Sequence, residues 1–137
     1  MIFKIDGEPM GKQRPKFSTA SGFIRTYTPA KTMHYEEWVK LCYKQANGFY
    51  FDEQPLMIRV EAFFEIPQSF SKKKKQQAFD GKLVPTKKPD ADNILKIICD
   101  SLNGVAYKDD KQIVSATVKK YYSNKPCVVV TIYSLSD

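Results

Sequence analysis

The fold is decided first by residues 56–65, which read LMIRVEAFFE. Every second residue of this stretch is apolar, from Leu56 to Phe64, whereas three of the residues that stand between or after them are charged. Successive side chains of a β-strand point to opposite faces of its sheet, so the pattern predicts a strand with one buried and one solvated face. The rest of the chain has to supply partner strands and a layer that covers the apolar face.

The segments on both sides of this strand predict the other elements. In chain order we expect a strand at 1–5, a hairpin around Ser21-Gly22, a helix from Thr28-Pro29 to near Asn47-Gly48, a short lysine-rich helix within 69–79, a loop at 81–89, a helix that starts at Asp92 and stops at Gly104, and strands at 113–122 and 127–135. The last two strands should form a C-terminal antiparallel hairpin. This order predicts an α+β fold, a single domain over residues 1–137, with a mixed β-sheet and two to three helices packed on it.

The longest predicted helix has an apolar face. Tyr35, Trp38, Val39, Cys42 and Ala46 recur every three to four residues, which predicts that these five side chains are buried together. We therefore expect Trp38 to pack in the core.

Composition limits the class of protein. The chain has 137 residues, 42% of them apolar, which is enough for one hydrophobic core. No stretch approaches the roughly 18 to 20 continuous apolar residues of a membrane span, and the N-terminus carries acids where a signal peptide is apolar. We expect a cytoplasmic protein with no membrane partner. Cys42, Cys99 and Cys127 form no CxxC pair, which predicts buried free thiols and neither disulfides nor a zinc site.

The positive charge is localised. The net charge is +7, yet residues 32–69 hold three Lys or Arg against six Asp or Glu, so the basic excess lies elsewhere. It consists of Lys4, Lys12, Arg14, Lys16, Arg25 and Lys31 near the N-terminus, and of Lys72, Lys73, Lys74, Lys75, Lys82, Lys87 and Lys88. Such clusters favour a polyanionic partner, because neutralising phosphates releases their counterions. The alternative is a solvated face that only keeps the protein soluble.

The strongest chemical signal is a group of aspartates around the second long helix. Asp90 and Asp92 lie just before and at its predicted start, where a two-residue spacing in extended chain puts both side chains on one side. Asp110 completes the set if the strand that follows it lies beside the helix start. Carboxylate oxygens suit Mg²⁺, which activates water and stabilises the leaving oxygen in phosphodiester hydrolysis. Lys96, one turn after Asp92, is placed to neutralise charge on the attacked phosphate.

Each of these residues also has a purely structural interpretation. Asp92 is a good N-cap, and Asp109 with Asp110 is a common turn sequence. Lys96 is spaced to pair with Asp92 or Asp100 along one helix face. For Asp100 the sequence favours a structural or supporting role.

A longer pattern contains the same residues. From Lys88 to Ile113 the chain reads Lys-Pro-Asp-x-Asp-Asn-(x)₂-Lys-(x)₃-Asp-x-Leu-Asn-Gly, and then Asp-Asp-x-Gln-Ile. This pattern resembles the signature of RusA-type crossover-junction endodeoxyribonucleases, which are often found on prophages. The start of the chain, with Gly7-x-Pro9-x-x-Lys12-x-Arg14-Pro15 and Tyr27-Thr28-Pro29, also resembles many family members. An isolated Asp-x-Asp is far less specific, since it also occurs in sugar-nucleotide transferases and aspartyl phosphatases.

The resemblance implies a homodimer that binds four-way DNA junctions and makes paired symmetric nicks with Mg²⁺ or Mn²⁺, in DNA recombination and repair. It implies that Asp90, Asp92 and Asp110 bind the metal and that Lys96 is an essential lysine. Asp109 remains an alternative to Asp110, because the spacing after the helix is at the short end for the family. Under this hypothesis the DNA phosphates are contacted by Lys12, Arg14, Lys72, Lys73, Lys74, Lys75, Lys87 and Lys88.

Two rival functions remain open at the level of sequence. The first is a nucleic-acid-binding module without catalysis, in which the aspartates only cap helices and form turns. The second is a phosphotransfer enzyme for a small substrate, which is disfavoured because the chain has no GxxxxGK[ST] phosphate loop.

Overall fold

The computed structural model describes residues 1–13, 16–18, 22, 25–27 and 29–135, with only the backbone at 16–18 and 25–27. The strands are β1 (Ile2–Asp6), β2 (Lys16–Ser18), β3 (Arg25–Tyr27), β4 (Leu56–Glu65), β5 (Ile113–Ser123) and β6 (Cys127–Ser134). The helices are α1 (Ala30–Gln45), α2 (Lys72–Phe79) and α3 (Ala91–Leu102), and a 3₁₀ turn covers Asp110–Gln112.

Four strands form the predicted mixed sheet, in the order β1-β6-β4-β5. Strand β4 is antiparallel to β6 and parallel to β5, so Val60 pairs with Val130 on one side and with Val118 on the other. Strand β1 pairs with β6 and forms one edge. Strands β2 and β3 form a separate two-stranded antiparallel sheet, in agreement with the predicted hairpin. The α+β class with three helices is confirmed.

The C-terminal pair of antiparallel strands is present, with β4 lying between its members. Residues 124–126 join β5 to β6, and each of these strands hydrogen-bonds to β4. The reason is the crossover from β4 through α2 and α3, which returns the chain parallel to β4 at its free edge. This arrangement places the segment that carries the aspartates next to the start of β5.

Helices α1 and α3 build the core with the apolar face of the sheet. The buried positions of β4 alternate from Leu56 to Phe64, as the sequence predicted. They join buried residues of β1, β6, α1 and α3 in one cluster. On α3 this cluster contains Ile94, Ile97, Ile98, Cys99 and Leu102.

The apolar face predicted for α1 is wrong at two positions. Trp38 is 38% exposed, and its indole N–H donates to the carbonyl oxygen of Asp6 at 2.9 Å. Ala46 is exposed as well. Tyr43 is buried instead, edge-on to Phe3 at 5.0 Å between ring centroids. The physical reason is that α1 packs against both α3 and β1, so its buried face is rotated from the one that spacing suggested.

Helix α1 also starts later than predicted. It begins at Ala30 with Pro29 at the N-cap, whereas the sequence predicted a start at Thr28-Pro29. Thr28 lies outside the described residues. Across the described ranges, the helices are all too short or too polar to cross a bilayer.

Candidate metal and DNA site

The start of α3 differs from the sequence expectation in a way that matters for the site. Asp90 is the N-cap, in extended conformation with φ −68° and ψ 154°, and Asp92 lies in the first turn. The side chain of Asp90 makes no capping hydrogen bond. Its carboxylate therefore lies at the positive end of the helix dipole without serving as a cap.

The two adjacent aspartates before β5 have different surroundings. The carboxylate of Asp109 accepts a hydrogen bond from the backbone N–H of Lys111 at 2.9 Å, and the side chain of Gln112 accepts from the backbone N–H of Asp109 at 2.9 Å. This is a capping box, and the Lys111 N–H lowers the pKa of Asp109. Asp109 thus has a structural role in the turn.

Asp110 lies in a shallow depression that also contains residues of α3. The depression is lined by Asp92, Leu95, Lys96, Cys99, Asp110, Ile113 and Ala116. Burial raises the pKa of Asp110, and the neighbouring charges of Asp100 and Asp109 raise it further. Burial also raises the pKa of the Cys99 thiol to about 12, so this cysteine is a neutral lining residue and not a nucleophile. The structure therefore brings Asp92, Asp110 and Lys96 together.

Asp90 lines a second recess, whose other lining residues include Glu8, Lys12, Lys31, Lys88 and Asn93. The prediction that the side chains of Asp90 and Asp92 lie on the same side of the chain assumed an extended backbone. Helix α3 begins at Ala91, between the two residues, so the side chain of Asp92 is rotated away from that of Asp90. Within the ranges that the structure describes, no three Asp, Glu, His or Cys side chains stand close enough to form a ready-made metal site. The candidate donors are thus divided between the depression and this recess.

A network of ion pairs connects Lys96, which lines the depression, with α1 and the N-terminal loop. The ammonium group of Lys12 lies 3.2 Å from Glu36 Oε2 and 3.4 Å from Asp100 Oδ2. The other oxygen of Asp100 lies 3.2 Å from Lys96 Nζ. The side chains of Lys12, Glu36 and Asp100 are only 24%, 17% and 18% exposed. Asp100 thus links the two lysines, and its hydrogen bond and charge raise the pKa of Lys96, as the charge of Asp110 does more weakly.

The same lysine attaches the N-terminal loop to α3. The backbone N–H of Lys12 donates to the carbonyl oxygen of Asn93 at 3.0 Å. At Gly11 an added Cβ would lie 2.9 Å from Pro89 Cβ and 3.0 Å from Asn93 Cβ, so only glycine allows this approach. Lys12 was predicted to contact DNA, yet its ammonium group is already held by two carboxylates. Neither Glu36 nor this loop contact was predicted, because neither leaves a local sequence signal.

The other predicted DNA contacts lie on the surface. The four lysines of α2, Lys72 to Lys75, are exposed, as are Lys87 and Lys88. Sequence reasoning missed Lys120, whose ammonium group donates to the carbonyl oxygen of Lys87 at 2.6 Å and fixes the loop before α3. Arg14 lies outside the described residues.

Two comparisons with known proteins are informative. A family model described as endodeoxyribonuclease RusA matches residues 6–133. The chain is also similar to the uncharacterized protein YqaN of Bacillus subtilis (strain 168), with 38% identity over 136 residues, which covers 98% of this chain and 96% of that protein. The match includes both the depression and the recess beside Asp90.

Proposed function

Because this chain belongs to the endodeoxyribonuclease RusA family, we propose that it is a metal-dependent nuclease that resolves four-way DNA junctions by paired symmetric nicks. The observation that carries the proposal is the meeting of Asp92, Asp110 and Lys96 in one depression, at the start of a helix whose N-cap carboxylate, Asp90, makes no capping hydrogen bond. These residues come from two segments that only the fold brings together. Under this proposal the protein acts in the cytoplasm, in DNA recombination and repair, either for the host or for a prophage.

The chemistry of the donors fits Mg²⁺ or Mn²⁺. Asp90, Asp92 and Asp110 offer only carboxylate oxygens, which are the ligands that such hard cations prefer. Bound there, the cation would supply an activated water and charge stabilisation for the leaving oxygen. Burial raises the pKa of Asp110, and the charges of Asp100 and Asp109 raise it further, so a cation bound there would stabilise the charged carboxylate.

The chain's own residues supply orientation and charge. Lys96 is 60% exposed, and its ammonium group is held on one side by Asp100. A phosphate in the depression would lie beside this ammonium group, which would offset the negative charge that grows on the phosphate oxygens during attack. The ion pair with Asp100, at 3.2 Å, restrains the Lys96 ammonium group beside the site.

Two copies of the site are needed for paired nicks. A homodimer with two-fold symmetry would present one depression to each of two opposed strands. The exposed lysines of α2, with Lys87 and Lys88, would contact phosphates and fix the position of the junction without reading much sequence. Arg14 belongs to the same proposal.

The α2 lysines should determine the salt dependence of binding. With Lys72, Lys73, Lys74 and Lys75 all changed to Gln, we expect weaker junction binding and a shallower fall of affinity with salt. The slope of log K against log [salt] should drop by about 0.9 for each phosphate that the variant no longer neutralises. Titrations at several salt concentrations measure this slope.

A charge-matched control separates local phosphate binding from net charge. It changes Lys4, Lys40, Lys44 and Lys108 to Gln, which removes the same number of positive charges away from α2. We expect the slope to stay near that of the wild type. An equal change in the two variants would argue against phosphate binding by α2.

The test of the function is cleavage of a labelled mobile four-way junction beside a linear duplex of matched sequence. The wild type and Asp90→Asn are assayed with Mg²⁺, with Mn²⁺ and with EDTA. We expect paired nicks on the junction alone, dependent on the metal and lost in the variant while binding remains. Junction binding without cleavage under either metal would instead support the non-catalytic binding module.

A further inference from the structure

The recess beside Asp90 is the first of three adjoining recesses that end beside α2. The first and second recesses share Glu8, and the second and third share Glu65, Ile66 and Gln68. Where the first two recesses meet, a carboxylate oxygen of Glu8 accepts a hydrogen bond from the backbone N–H of Glu65 at 3.2 Å. The three recesses thus lie in a row from Asp90 to α2, and we call this row the α2 groove.

The outer end of the α2 groove combines cationic, amide and aromatic side chains with one carboxylate. It has a volume of about 610 Å³ and is lined by Lys72 and Lys75, by the amides of Gln68, Gln76 and Asn124, by the ring of Phe79, and by Glu65 and Ile66, which it shares with the second recess. Phe79 is 63% exposed, although it belongs to a helix that is fixed in place. The helix is capped by Ser71, whose hydroxyl accepts from the N–H of Lys74 at 3.2 Å, and it buries Ala78.

This combination matches the chemistry of an unpaired nucleotide. An exposed aromatic ring offers a stacking surface to any base, neighbouring ammonium groups bind the backbone phosphates, and side-chain amides bind base edges. Glu8 and Glu65, in the middle of the groove, repel phosphates but accept hydrogen bonds from exocyclic amino groups. A single strand with its bases toward the groove satisfies both conditions, whereas a duplex presents phosphates on both sides.

We propose that the α2 groove binds an unpaired DNA strand, with one base stacked on Phe79 and its phosphates at Lys72 and Lys75. The path from Asp90 rests on the proposed function, since that function places the cleaved strand at Asp90. The stacking site itself depends only on the side chains of the outer recess. The groove would hold strand ends that separate at the centre of a junction.

Binding of a labelled 12-nucleotide single strand, and of the corresponding blunt duplex, tests the groove in EDTA. For Phe79→Ala we expect single-strand binding to weaken roughly 5- to 100-fold, the range for removal of one stacked base. Duplex binding should change by less than about twofold. Phe79→Tyr should retain the binding, because it retains the ring.

The matched control is Tyr50→Ala. Tyr50 is also an exposed aromatic residue, at 46%, but it lies on the connection that leads into the start of β4. We expect its removal to leave single-strand binding unchanged. Thermal unfolding of each variant shows whether the fold is retained.

The outcomes separate this inference from the proposed function. If the wild type cleaves junctions but Phe79→Ala binds single strands as the wild type does, the groove assignment is overturned. Equal weakening on single strand and duplex, or no single-strand binding by the wild type, overturns it too. If no junction is cleaved but Phe79 still determines single-strand binding, the nuclease proposal fails and the groove stands.

Discussion

Asp110→Asn should lower the rate of junction cleavage roughly a hundredfold or more, whereas Asp109→Asn should retain most of the activity. The reason is that Asp110 lies in the depression with Asp92 and Lys96, while the carboxylate of Asp109 caps the 3₁₀ turn. Loss of one negatively charged oxygen ligand removes electrostatic stabilisation that is specific to the reaction. Single-turnover cleavage of a labelled junction in saturating Mg²⁺ measures both variants. Activity abolished in Asp109→Asn and kept in Asp110→Asn would transfer the ligand role to Asp109.

The same two substitutions should have opposite effects on stability. Because the pKa of Asp110 is raised in the folded protein, its charged form is disfavoured by folding at pH 7, and Asp110→Asn should unfold at an equal or higher temperature in EDTA. The pKa of Asp109 is lowered, so its charged form favours folding above its usual pKa, and Asp109→Asn should be slightly less stable. On acidification the difference for Asp110 should vanish once the pH is below the ordinary Asp pKa of about 3.9, whereas the difference for Asp109 should shrink as the pH falls from that value through the lowered pKa of Asp109 in the folded protein. Melting curves at pH 7 and pH 3 check the signs.

Lys12→Met should reduce both stability and the rate of cleavage, without changing the salt dependence of DNA binding. The substitution leaves Glu36 and Asp100 without their shared cation in a region that is mostly shielded from water. We expect a loss of about 1–3 kcal/mol in the free energy of unfolding, between the values for exposed and fully buried pairs. Cleavage should fall because Asp100 no longer holds Lys96 firmly and the N-terminal loop is released from α3. Denaturant unfolding and single-turnover kinetics measure the two effects.

Two further variants distinguish this support role from binding of a phosphate. Lys12→Arg keeps the positive charge and should restore most of the stability and activity. Glu36→Gln weakens the network and should lower cleavage, whereas a DNA-binding Lys12, released from Glu36, would bind junctions more tightly. A salt slope reduced by about 0.9 in Lys12→Met would also show that Lys12 neutralises a phosphate and would contradict the support role.

Local patterns predicted the elements that depend on local chemistry. The alternation from Leu56 to Phe64 predicted β4 and its buried face, because burial follows directly from the two-residue period of a strand. The long pattern from Lys88 to Ile113 identified the family, which the family model confirms. These features need no knowledge of what lies opposite each segment.

Only the tertiary structure decided which segments meet. The insertion of β4 between β5 and β6 follows from the crossover, and the rotated face of α1 follows from its packing on β1. The sequence favoured Asp110 as a ligand and kept Asp109 as the alternative, and only the fold shows that the Asp109 carboxylate caps the 3₁₀ turn. It also places Lys12 between Glu36 and Asp100, two partners from different helices. Sequence by itself determined the elements and the family of this protein, whereas the neighbours of each charged group depend on contacts between distant segments and were decided by the fold.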